Sequence, residues 1–224
     1  MLLFLDSAKI DEIRHALEFW DLDGLTTNPR HVRDSGKSFQ RVLGEIAELF
    51  AGSSKPLSVE VNPHLTAPKE IVAEGLKLAR LSPNFVIKVG ASEAGFKAIR
   101  ELSREGIRTN ATLVFSVAQA WHAARSGATY VSPFLGWKES HGEDTASLIP
   151  EIATVLKNFG YPTQIIAAAI RNTRQMAAAA IAGADCVTAG FAVYQESFKN
   201  PFTDLGNQIF SEAWDATPQG DGPG

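Results

Sequence analysis

The sequence predicts an α/β protein built as a single (β/α)8 barrel, on three observations. Short apolar runs alternate with longer amphipathic stretches over almost the whole of the 224 residues. Gly106, Gly127, Gly160 and Gly183 each fall where a helix should stop before the next strand. Polar residues gather at the C-terminal ends of the apolar runs, the face on which such barrels carry their sites.

The elements follow in order. Strands are expected at residues 2–5, 24–26, 57–61, 85–89, 109–114, 130–132, 164–168 and 186–188. Most are continuous apolar runs, as parallel strands buried on both faces require. Between them lie helical patterns at 10–19, 39–50, 68–81, 93–105, 116–126, 145–159 and 174–182. Eight strand–helix units read as a barrel, whereas an open doubly wound sheet would lead to a Gly-x-Gly-x-x-Gly turn, and none follows any strand. An extra helix at 204–214 carries Leu205, Ile209, Phe210 and Trp214 on one face, to pack on the barrel or on a neighbouring subunit. With no interior linker, one domain is expected over 1–216, followed by a disordered Pro/Gly-rich tail at 217–224.

Composition sets the outer limits. The chain is 45% hydrophobic and 21% charged, which excludes a disordered or collagenous chain. A formal net charge of −4 disfavours nucleic acid and anionic membranes as partners, so any anion site must be local. A single cysteine, Cys186, excludes an internal disulfide framework and fits a reducing compartment. The opening Met-Leu-Leu-Phe-Leu is too short for a signal peptide, and no apolar run approaches ~18 residues. A soluble, cytoplasmic protein is expected.

The strand ends carry Asp6, Thr26 to Asn28, Glu60, Lys88, Asn110, Thr112, Ser132 and Arg171. Each alone has an ordinary structural reading, since a strand-end Asp or Asn usually caps the next helix; their convergence points to a site. Lys88 is its centre, because Phe85-Val86-Ile87-Lys88-Val89 sets a lysine inside an apolar strand. Burial disfavours the ammonium and leaves an amine able to attack a carbonyl. The structural alternative is a lysine paired with a buried carboxylate, or one snorkelling at the strand end. A Schiff-base lysine needs a carboxylate base and groups that hold water and substrate oxygens. Asp6, Glu60, Thr112, Asn28 and Asn110 suit those tasks.

Six ordered segments carry a resemblance. They are Leu5-Asp6, Gly24-Leu25-Thr26-Thr27-Asn28-Pro29, Ser58-Val59-Glu60-Val61, Val86-Ile87-Lys88, Asn110-Ala111-Thr112-Leu113-Val114-Phe115-Ser116 and Ser132-Pro133-Phe134. Together they resemble the transaldolases, specifically the short members grouped with fructose-6-phosphate aldolase. The resemblance implies a class I aldolase barrel with Lys88 as the Schiff-base residue and no cofactor. It implies that Asp6 takes the C4-hydroxyl proton as C3–C4 breaks, and that Glu60 and Thr112 hold the catalytic water. Asn28, Asn110 and Ser132 would bind the dihydroxyacetone fragment, with Thr26 supporting that polar floor. The plain aldolases of the group have Gln at the Glu60 position and Tyr at the Phe134 position. A phenolic hydroxyl can donate a proton and a phenyl ring cannot, so Phe134 favours transfer of the bound unit over its release.

The phosphate site departs from the family pattern. The Arg that follows Ser-Pro-Phe-x-Gly is here Trp137, followed by Lys138, and Ala-Ser-x-Arg becomes Ala168-Ala169-Ile170-Arg171. Arg30 and His31 follow Thr-Thr-Asn-Pro in place of a small polar residue. A phosphate monoester carries roughly −1.5 to −2 charges, whereas a sulfonate carries one. Replacing a guanidinium by an indole removes a positive charge and keeps one N–H donor. A sulfonate held by Arg171 and Trp137 is therefore expected, with Arg30, His31 and Lys138 as further candidates. Gly136-Trp137-Lys138-Glu139, Ala168 to Asn172 and the segment from Gly190 to Phe198 also resemble the branch that acts on 6-deoxy-6-sulfofructose. Cleavage of that donor gives 3-sulfolactaldehyde, and glyceraldehyde 3-phosphate is one acceptor for the three-carbon unit. An ordinary transaldolase or aldolase acting on fructose 6-phosphate or sedoheptulose 7-phosphate stays open, as does a non-catalytic sugar-anion binding barrel. His15, His31, His64, His122 and His141 lack metal-ligand spacing, so no metal is expected. The partners expected are small sugars and further copies of the chain.

Overall fold

The computed structural model describes residues 1–218 and residue 220. Eight parallel strands pair in chain order and close into a barrel. They are β1 (Leu2–Asp6), β2 (Gly24–Thr26), β3 (Leu57–Glu60), β4 (Phe85–Gly90), β5 (Thr109–Val114), β6 (Tyr130–Pro133), β7 (Gln164–Ile170) and β8 (Cys186–Ala189). β8 closes on β1 with Phe4 beside Thr188. The helices of the surrounding layer are α1 (Ile10–Phe19), α2 (Pro29–Asp34), α3 (Phe39–Leu49), α4 (Pro68–Ala79), α5 (Glu93–Arg104) and α6 (Val117–Arg125). They continue with α7 (Leu135–Ser140), α8 (Leu148–Asn158), α9 (Thr173–Ile181), α10 (Phe191–Ser197) and α11 (Pro201–Ala216).

The period-two alternation of the strands sorts the sequence into layers. Odd positions such as Leu5, Leu25, Val59, Ile87, Val131 and Val187 belong to the large core shared with the helices. Even positions face the barrel axis. Phe4, Val86, Tyr130, Ile166 and Cys186 form a separate buried plug there. Gly24 makes room for it, since a Cβ at that position would lie 2.7 Å from the Phe4 ring. Cys186 is part of this filling, and burial pushes its thiol up to about 12. Two residues beyond the plug, the same strands present Asp6, Lys88, Ser132 and Thr188. β2, β3 and β5 present Thr26, Glu60 and Thr112 in the same direction. The layer of side chains above the plug is therefore polar, and it is the site.

Two strands leave the regular ladder at this end. Leu113 on β5 and Ala169 on β7 have φ of 57°, and the register shifts between Ala111 and Val114 and between Ala167 and Ile170. Non-glycine residues in this conformation cost ~1–3 kcal/mol, and such strain is found mostly at functional sites.

Three helices escape the sequence pattern: α2, α7 and α10, of six, six and seven residues. A stretch under two turns is too short for apolar periodicity to declare itself. Trp20 ties α10 to the end of α1, stacking on Phe191 with ring centres 4.8 Å apart. The extra helix α11 begins at Pro201, three residues before the expected start, and buries none of its residues. It does not pack into the barrel core, and it leaves Phe202, Leu205, Ile209 and Phe210 exposed. Of the tail expected to be disordered, residues 219 and 221–224 lie outside the described residues. Among the described residues, no helix is long and apolar enough to cross a membrane.

Candidate active site

A cavity of about 550 Å³ opens at the C-terminal ends of the strands. Lys88 lies at its base, 4% exposed. Its Nζ donates to the Thr27 carbonyl at 2.9 Å and lies 3.6 Å from Glu60 Oε2. The parallel register sets Lys88 beside Glu60 on one side and Asn110 on the other. Burial pushes the Glu60 carboxyl above its ordinary value, against the pull of Lys88, with Asp6 adding to the rise.

Asp6 ends β1, on the side of the closed barrel opposite β5 and its Asn110. Thr26 Oγ1 donates to its Oδ1 at 2.8 Å, and His31 Nε2 lies 3.0 Å from its Oδ2. Burial is the largest single influence on this carboxyl and opposes its ionisation. His31, Lys88 and Thr26 together outweigh burial and hold it below the ordinary range. The Thr26 hydroxyl also meets the Thr188 hydroxyl at 2.6 Å. Thr26 spends its one hydrogen on Asp6, so Thr188 donates in that contact.

A second buried chain runs along the opposite wall. Ser132 Oγ donates to Asn110 Oδ1 at 2.8 Å, and Asn110 Nδ2 donates to Ser58 Oγ at 3.1 Å. Thr112 Oγ1 is buried with no hydrogen-bond partner among the described residues. A buried hydroxyl of this kind, lining a cavity, is placed to take water or substrate. Asn28 has a structural duty as well: its Oδ1 accepts the His31 backbone N–H at 3.0 Å and caps α2. Its side chain still lines the cavity.

The rim is built by the short helices. Phe134 and Trp137 meet edge-to-face at 5.6 Å, and Phe115 touches both rings. Gly136 lets α7 approach the end of β7, since a Cβ there would lie 2.2 Å from the Ala169 carbonyl oxygen. Arg171 follows β7; its backbone N–H donates to Gln175 Oε1 at 2.7 Å, and Gln175 Nε2 donates to Glu139 at 2.6 Å. The start of α9 is thereby tied to α7. Arg171 makes no ion pair among the described residues, whereas Arg30 has only Asp34 at 4.0 Å.

Most residues singled out in the sequence line this one cavity: Asp6, Thr26, Asn28, Arg30, His31, Glu60, Lys88, Thr112, Ser132, Phe134, Trp137 and Arg171. Asn110 lies just beneath, joined through Ser132. Two candidates for the terminal anion are placed otherwise. Lys138 points away from the cavity into an ion pair with Glu143. His31 turns its ring onto Asp6, a carboxylate that occupies the donor an anion would need. Thr188, Ser58, Gly136 and Gln175 were missed. Thr188 was within reach, because the alternation that puts Lys88 two residues after Val86 puts Thr188 two after Cys186.

Comparison with known proteins gives a consistent picture. A family model described as transaldolase/fructose-6-phosphate aldolase matches residues 3–219. The 6-deoxy-6-sulfo-D-fructose transaldolases of Priestia aryabhattai and Priestia megaterium are each 54% identical over 218 residues, 97% of this chain and 96% of theirs. A probable transaldolase of Dictyoglomus turgidum is 43% identical, over 98% of this chain and 100% of its own.

Proposed function

The chain belongs to the transaldolase/fructose-6-phosphate aldolase family, and from that premise we propose that it is a Schiff-base transaldolase whose donor is 6-deoxy-6-sulfofructose. The observation that carries the chemistry is Lys88 Nζ, buried beside Glu60 with Asp6 and the buried Thr112 hydroxyl on the same cavity. In this reading the Lys88 amine adds to the C2 ketone, and loss of water gives the iminium. Asp6 takes the C4-hydroxyl proton, the C3–C4 pair flows into the iminium, and 3-sulfolactaldehyde leaves. The enamine left on Lys88 then attacks an acceptor aldehyde such as glyceraldehyde 3-phosphate, whose oxygen receives the proton back from Asp6. Glu60 and Thr112 hold the water that forms and later hydrolyses the Schiff base. Asn28, Asn110 and Ser132 bind the three-carbon unit over the floor that Thr26 supports. Phe134 covers the enamine without supplying a proton.

The terminal sulfonate is assigned to the rim at Arg171, Trp137 and Arg30. Two cations and an indole N–H there suit a singly charged three-oxygen anion, and the sulfofructose transaldolases at 54% identity favour the same donor. A homo-oligomer belongs to the proposal, supported by the exposed apolar side chains of α11. A cytoplasmic, cofactor-independent enzyme is the matching expectation. Borohydride treatment with sulfofructose should add a three-carbon unit to wild-type protein by intact mass and none to Lys88→Met. A missing adduct on wild type overturns the enzyme reading. Comparing kcat/KM for sulfofructose and fructose 6-phosphate with one acceptor tests the donor: a large preference for phosphate overturns the sulfonate assignment.

A further inference from the structure

We propose that His31 is a positioning residue for the proton acceptor, acting through Asp6 and not on the terminal anion; the inference rests on the role given to Asp6 above. Each Asp6 oxygen has one fixed protein donor: Thr26 Oγ1 on Oδ1 at 2.8 Å and His31 Nε2 on Oδ2 at 3.0 Å. An ionised carboxylate only accepts, so His31 Nε2 carries the hydrogen of that contact. Both donors are themselves held. Thr188 backs Thr26 at 2.6 Å, and the His31 backbone is pinned in the first turn of α2 by Asn28 at 3.0 Å. Two donors on different oxygens fix the carboxylate plane and leave one lone pair on each oxygen for a substrate hydroxyl.

The charge around the ring favours the same role. Asp6 on β1, Glu60 on β3, Lys88 on β4 and Arg171 beyond β7 line the cavity with it, and Arg30 and Asp34 share its helix. Asp6 is the carboxylate in contact with the ring. A donor on Oδ2 favours the ionised form and so keeps Asp6 ready to accept the C4-hydroxyl proton, against the cost of burial. The same contact steadies the acid that returns the proton to the acceptor's oxygen. His31 touches neither the C4 hydroxyl nor the carbons of the C3–C4 bond in this scheme; its effect passes through the carboxylate.

The test uses His31→Leu, which removes the donor, and His31→Gln, which restores a neutral N–H. Each is made in the wild type and in a Glu60→Gln background, which removes the carboxyl beside Lys88 and leaves Asp6 and the more exposed Asp34 on the cavity. His31→Leu should lower kcat for donor cleavage about ten-fold with little change in donor KM. In the Glu60→Gln background it should move the acid limb of kcat/KM to higher pH by about one unit. His31→Gln should recover most of kcat and bring the limb part of the way back, since it restores the hydrogen bond to Oδ2 and not the imidazole's electrostatic pull. A raised KM with unchanged kcat and an unmoved limb returns His31 to the terminal anion and overturns the proposal. Schiff-base formation with dihydroxyacetone, trapped by borohydride, needs no C3–C4 step and reports folding; if His31→Leu fails it, His31→Gln carries the pH test alone. Unchanged cleavage in Asp6→Ala instead overturns the role of Asp6 itself. Loss of cleavage there, with unmoved His31 variants, overturns only the present inference.

Discussion

The floor and the rim of the cavity are built differently. On the floor, Lys88, Asn110, Ser132 and Thr26 are buried on strands, and their polar atoms are joined in short chains of hydrogen bonds. On the rim, Arg30, Trp137 and Arg171 are exposed on short helices and strand-end loops, and Trp137 is 44% open to solvent. A floor residue cannot change without leaving a buried group unpaired. A rim residue can change its charge at little cost to the fold. The contrast suits the function proposed above, in which one barrel keeps its bond-breaking residues on the floor and can exchange at the rim the group it recognises.

The largest effect should come from the floor. Asn110→Ala strands the Ser132 and Ser58 hydroxyls in a buried layer. We expect about a thousand-fold loss of transfer and a fall in stability of about 2 kcal/mol, read by steady-state kinetics and denaturant unfolding. Gly136→Ala comes next and strikes the joint between the regions. Its methyl would meet the Ala169 carbonyl at 2.2 Å, pushing α7 and with it Trp137 away from β7. Donor cleavage should fall about a hundred-fold while trapping of dihydroxyacetone on Lys88 stays near wild type. Loss of that adduct would show that rim and floor are not separable.

Sequence legibility divides along the same line. The strand residues were readable because a polar side chain inside an apolar run, as at Lys88 or Glu60, breaks a strong pattern. Alternation then places it on the barrel axis at a definite height. The rim was read only as residue types. The pattern could not tell that α7 turns Trp137 inward and Lys138 outward to Glu143, because a six-residue helix has no periodicity to read. The contact of His31 is illegible for a related reason: its partner, Asp6, lies 25 positions away in the chain and meets it only across β1 and α2. The strained turns at Leu113 and Ala169 had no local signal, since neither is the glycine such a conformation favours.

A smaller effect should follow from changing the rim alone. Trp137→Arg restores the guanidinium that the phosphate-binding relatives are expected to carry, beside an Arg171 that has no acidic partner among the described residues. The ratio of kcat/KM for fructose 6-phosphate over sulfofructose should rise about ten-fold, with kcat for the better donor nearly unchanged. A fall in kcat for both donors would place Trp137 in the floor's chemistry and break the division.

The smallest effect is one of stability against pH, present for the floor and absent for the rim. Asp6 is held below its ordinary value of 3.8, since His31, Lys88 and Thr26 together outweigh burial. A carboxyl depressed in the fold binds its proton less readily there than in the unfolded chain. Its contribution is therefore fully present above 3.8 and is lost as the pH falls through the folded value. Asp6→Asn should melt a few degrees below wild type near neutrality, and the gap should close as the pH falls below 3.8. Arg30→Gln, which alters a rim group 75% exposed and only 4.0 Å from Asp34, should give a gap near zero at every pH in that range. A gap for Asp6→Asn that persists below the folded value would mean that the carboxylate holds its neighbours through shape alone. The floor would then be a packed layer that happens to be polar, and the pull of His31, Lys88 and Thr26 on the Asp6 carboxyl would no longer account for its stability.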